Sequence, residues 1–65
     1  MTPTAFRQWL ANMKSAGLSR SDAEAGRMLG KSADQIVRYK QKGADHTVAL
    51  ACAALLAGLV PYAGT

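Results

Sequence analysis

Residues 21–43 read SDAEAGRMLGKSADQIVRYKQKG, and this stretch carries two helix starts and two helix stops in quick succession. Ser21, followed three residues later by Glu24, has the spacing of a capping box. In that device the serine oxygen takes a free backbone N–H and the acid side chain returns to the serine N–H. Ala25, Met28 and Leu29 then supply an apolar face. Gly30 stands where a chain leaves a helix through a left-handed residue. After Lys31, Ser32 and Gln35 repeat the capping-box spacing. Ile36 and Tyr39 follow three apart on one side, and Gly43 closes the segment. Two short helices joined by a tight turn are therefore expected over about 21–43.

Upstream, Thr2 is a helix cap and Pro3 suits the first helical position, where its missing N–H would be unsatisfied anyway. Phe6, Trp9, Leu10 and Met13 recur at spacings of three and four and make one apolar stripe, and Gly17 is the expected stop. Downstream, Asp45, His46 or Thr47 opens a fourth helix, expected over about 46–60, whose body is apolar almost all round. Gly58 and Pro61 bound it, and Tyr62–Thr65 read as a frayed end. No alternating apolar pattern marks a strand. The fold expected is all-α, a compact four-helix domain that takes in the whole 1–65 chain.

A chain of 65 residues holds one domain at most and buries only roughly 60% of the surface its unfolded form exposes. Cys52 is the single cysteine, so no disulfide staples it, and His46 and Cys52 alone are too few soft ligands for a structural zinc. Neither a metal nor a cofactor is expected. Self-association is the remaining route to extra stability. The net charge of +4 favours an anionic partner. All eight basic residues lie between Arg7 and Lys42, and no charged residue follows Asp45. The first residues lack the pattern of a signal peptide, and the apolar run from Thr47 to Val60 is shorter than the about 20 residues that cross a bilayer. With its free thiol the chain is expected to be soluble and cytoplasmic, with no membrane partner.

The segment from Asp22 to Lys40 resembles the helix-turn-helix of the lambda-repressor-like (Cro/repressor) family. The residues that carry the resemblance are the small Gly26 in the first helix, Leu29 before the turn glycine Gly30, and the paired anchors Ile36 and Tyr39 in the second. It departs at Lys31, where the family has an apolar residue. Ala16-Gly17-Leu18-Ser19, Arg38-Tyr39 and Thr47-Val48 opening an apolar helix are also similar to small phage-encoded autoregulators of the anti-CRISPR-associated type. The resemblance implies a lambda-repressor-like DNA-binding domain whose second motif helix lies in the major groove.

With Ile36 and Tyr39 inward, the outward side of that helix carries Asp34, Val37, Arg38 and Gln41, the expected base-reading residues. The rigid fork of Arg38 matches O6 and N7 of guanine. Asp34, four residues earlier, has the spacing to pair with Arg38 or to accept from a cytosine amino group. Val37 suits a thymine methyl, and Gln41 a base or a phosphate. Arg20 and Ser21 at the start of the first motif helix, Lys31 in the turn and Lys42 at the end are the expected phosphate contacts. Lys40 reads as a solvated charge.

A helix apolar all round has to be covered on more than one side, so Leu55, Leu56, Leu59 and Val60 are the expected dimer interface. A homodimer would read two half-sites of a pseudo-palindromic operator in double-stranded DNA, spaced about 34 Å apart. With no effector domain it would act as a repressor of its own operon by promoter occupancy. The competing class is a small helical protein-binding module, such as a phage inhibitor or an antitoxin-like partner, in which the apolar fourth helix is the interface. A membrane-active peptide needs opposed basic and apolar faces on one helix, and here they lie on different segments. No nucleophile–base pair, paired carboxylate or phosphate loop points to an enzyme.

Overall fold

A computed structural model describes residues 1–62, and among them it contains four α-helices and no strand. The reading of Tyr62–Thr65 as a frayed end falls, beyond Tyr62, outside the described residues. Helix α1 spans Pro3–Ser15, α2 Asp22–Leu29, α3 Ala33–Lys42 and α4 His46–Leu56. Thr2 Oγ1 accepts from the Ala5 N–H at 3.0 Å and so starts α1, with Pro3 in its first turn. Past Ser15 the chain turns through Gly17, and the Leu18 N–H closes back on the Met13 carbonyl at 2.9 Å. That bond satisfies a carbonyl the helix itself leaves free.

At α2 only half of the expected capping box forms. Ser21 Oγ accepts from the Glu24 N–H at 3.2 Å, while no return bond from the Glu24 side chain is present. The box on α3 is complete: the Ser32 N–H donates to Gln35 Oε1 and the Gln35 N–H to Ser32 Oγ. Between the two helices Gly30 sits at φ +72°, where a Cβ would be strained, and the Lys31 N–H reaches back to the Gly26 carbonyl at 3.0 Å. Asp45 is the residue that caps α4, accepting from the Val48 N–H at 2.9 Å.

The fourth helix ends at Leu56, not near residue 60 as expected. Gly58 adopts φ +78°, and the Leu59 N–H folds back onto the Ala54 carbonyl. The stop at Gly58 therefore outweighs the helix propensity of the Ala/Leu run, and Leu59 and Val60 leave the helix axis.

The core is made by Phe6, Trp9, Leu10 and Met13 of α1, Ala25 of α2, Ile36 of α3, and Val48 and Cys52 of α4. Phe6 bridges α1 and α3: its ring centroid lies 5.3 Å from Tyr39 in an edge-on arrangement and 5.5 Å from Trp9. The buried Trp9 indole N–H donates to the Cys52 carbonyl at 2.9 Å, which satisfies its only polar atom inside the core. Burial pushes the Cys52 thiol up to about 11, so it stays neutral and packs as a small apolar group.

Helices α2 and α3 meet closely because of Gly26. A Cβ at that position would lie 2.8 Å from Cγ1 of the buried Ile36. Alanine in a helix interior is worth about 1 kcal/mol over glycine. Forcing a methyl into packed side chains costs about 1–3 kcal/mol. Gly26→Ala is therefore expected to lower stability by about 1 kcal/mol net, seen as a melting midpoint reduced by about 4–8 °C. A raised midpoint in thermal unfolding would mean that Ile36 can move aside freely.

Candidate nucleic-acid interface

Helix α3 divides cleanly into two sides. Ile36 is buried and Tyr39 half-buried, and both face the core. Asp34, Val37, Arg38 and Gln41 are all exposed, and helical spacing places them together on the opposite side. The seven-residue step from Asp34 to Gln41 covers about 10 Å of helix axis, or about three base-pair steps. All four expected base-reading residues thus share one accessible face. Asp34 and Arg38 do not pair with one another. The one ion pair among the described residues joins Lys40 to Asp22 at 2.7 Å.

That ion pair corrects the reading of Lys40 as a solvated charge. Its ammonium holds Asp22 in the first turn of α2, and its backbone carbonyl accepts from the guanidinium of Arg7 on α1. A half-exposed pair contributes about 0–1 kcal/mol, so its consequence is geometric. One residue near the end of α3 ties that helix to both α1 and α2 and holds its outer face at a set orientation. Tertiary placement across 18 residues of chain made this bond, and no local spacing signals it.

The expected phosphate contacts surround this face along the chain. Arg20 and Ser21 are exposed at the entry to α2, and the Ser21 hydroxyl, while capping, still has its own proton to donate. Lys31 is partly buried in the turn, and Lys42 is exposed in the last turn of α3. From Arg20 to Lys42 there are six cations against three carboxylates, one of which, Asp22, is already paired. A cleft of about 410 Å³ runs between α2 and α3, with Gly26 and Ile36 among its lining residues. It shows one residue that the sequence reading passed over. Arg27 is exposed and lines the cleft together with Lys31, four residues on. A wheel of α2 with Ala25 inward puts Arg27 on the outer side, and this was the available signal.

Of the four residues of the expected dimer surface, three are exposed and one is half-buried. Leu55 is half-buried: it packs against the core and, with Leu59 and Val60, also lines an open apolar cleft. Leu56 is exposed at the end of α4, and Leu59 and Val60 lie beyond it with 61% and 84% of their surface accessible. Leu50, absent from the expected set, is 60% exposed. It projects from the side of α4 opposite Val48 and Cys52, which face the core. Met28 at the end of α2 joins Leu59 and Val60 around a second, apolar cleft.

No described helix is long and apolar enough to cross a membrane. No described group of three or more His, Cys, Asp or Glu is placed to hold a metal ion. Comparison with known protein families, with curated proteins and with solved structures finds no match to this chain.

Proposed function

We propose that this protein is a sequence-specific DNA-binding transcriptional regulator of the lambda-repressor-like kind. The observation that carries the proposal is the accessible face of Asp34, Val37, Arg38 and Gln41 on a helix whose other side is seated in the core. Such a helix can enter a major groove about 12 Å wide without loss of packing. Its side chains offer a bidentate donor in Arg38, an acceptor in Asp34, an amide in Gln41 and an apolar group in Val37. Arg20, Ser21, Lys31 and Lys42 would set the register on the backbone.

In this proposal two copies associate through Leu55, Leu56, Leu59 and Val60, with Leu50 a further exposed apolar residue of α4, and bind a pseudo-palindromic operator. Occupancy of the promoter of its own operon then represses transcription in the cytoplasm of a bacterial or phage-infected cell. Neither a cofactor nor a catalytic step is part of this mechanism.

Binding to the duplex upstream of the protein's own gene, compared with a scrambled duplex over a salt series, tests the proposal. Preference for the upstream duplex is expected. Two copies each offering Arg20, Lys31 and Lys42 to phosphates give a log–log salt slope of about −5. Lys42→Ala should make the slope shallower by about 2 for the dimer and weaken both duplexes alike. A slope near zero would remove the phosphate contacts from the proposal.

A second reading has its own observation. Leu50, Leu59 and Val60 expose apolar side chains in the part of the chain that carries no charge, as a protein-binding module would. Leu59→Glu separates the two. Loss of self-association together with operator affinity supports the dimeric regulator, whereas an unchanged oligomeric state leaves this surface to a different protein.

A further inference from the structure

Val37 is the odd residue on the outer face of α3. Asp34, Arg38 and Gln41 beside it are polar, yet Val37 leaves 51% of its surface accessible. A β-branched residue there forgoes both burial and helix propensity. It lines the cleft between α2 and α3 together with Ala33, four residues earlier on the same side, while Ala23 of α2 lines the cleft too. Arg27 and Lys31 also line the cleft. A neutral apolar ligand gains nothing from two such cations. A nucleic-acid strand brings anionic phosphates along with its bases, and the thymine 5-methyl is the apolar group on the major-groove edge of the base pairs.

We infer that Val37 and Ala33 together read the methyl group of a thymine next to the base pair that Arg38 reads, with Arg27 and Lys31 attracting the strand that carries it. The inference rests on the DNA-binding proposal above and adds to it that Ala33 shares the thymine methyl with Val37 and that this thymine adjoins the base pair read by Arg38. Cytosine at that position has no methyl to fill the space against Val37. Adenine and guanine present N7 with N6 or O6 there and carry no methyl.

Duplexes enriched by the protein from a random-sequence pool are remade with each thymine in turn replaced by uracil, which removes the methyl and nothing else. At one position per half-site the affinity is expected to fall about fourfold, the worth of one buried methyl. Val37→Ala, a change at an exposed position, should no longer distinguish thymine from uracil there while still binding duplex. Unchanged affinity at every uracil position, or a thymine preference that survives in Val37→Ala, overturns the inference and leaves DNA binding standing. A pool that yields no enriched duplex overturns the DNA-binding proposal and this inference with it.

Discussion

Arg38→Ala is expected to reduce affinity for the operator by about 10- to 100-fold while leaving affinity for unrelated duplex within a few-fold. The arginine is exposed and pairs with neither Asp34 nor any other carboxylate among the described residues, so its guanidinium is free for a base. A bidentate contact to guanine contributes about 1–3 kcal/mol of discrimination. Dimeric binding uses it twice, so about 1 kcal/mol in each half-site, the lower end of that range, accounts for the expected loss. Because the side chain packs against nothing in the core, the melting midpoint should stay within about 2 °C of the parent. Anisotropy titrations on operator and scrambled duplex, with thermal unfolding as the control, separate the two effects. Equal loss on both duplexes would make Arg38 a phosphate contact. Unchanged operator affinity would move the reading face away from α3.

Phe6→Ala is expected to unfold most of the protein at 37 °C. Phe6 has no accessible surface, and its ring stands between Trp9 of its own helix and Tyr39 of α3. Truncating a buried phenylalanine costs about 3–5 kcal/mol. In a chain this short a single core rarely supplies more than about 3–5 kcal/mol, so the loss is comparable with the whole. The cavity would also remove the edge-on contact that seats Tyr39, so any folded fraction would hold α3 less firmly. Circular dichroism should show most of the helical signal lost at 37 °C. A cooperative transition within a few degrees of the parent would mean that the four helices do not depend on this contact.

Much of the fold was legible because its boundaries are written in short-range chemistry. Thr2-Pro3, Ser32 with Gln35, and Gly30 each act within one helical turn, and each sits where expected. The outer face of α3 was legible for the same reason. Once Ile36 and Tyr39 face inward, helical geometry leaves Asp34, Val37, Arg38 and Gln41 outside.

Two things were not legible. The fourth helix is apolar all round, so it has no polar side to set its rotation. Contact with α1, including the bond from Trp9 to Cys52, decides that Val48 and Cys52 point in and Leu50 points out. The pairing of Lys40 with Asp22 likewise depends on how α2 and α3 meet in space. Both shortfalls are tertiary in origin, and both bear on the candidate site. One adds Leu50 to the exposed apolar residues of α4, and the other removes Lys40 from the cations free to meet DNA.

The most direct measurement is a residue-resolved NMR titration of isotopically labelled protein with a short DNA duplex at low salt. The expected result is shifted amide signals along Ala33–Lys42 and at the entry to α2 around Ser21, with Leu50–Leu56 of α4 unmoved when duplex is added. Shifts confined to α4 and the segment around Leu59, or no shifts at all, would contradict α3 as the DNA-reading helix.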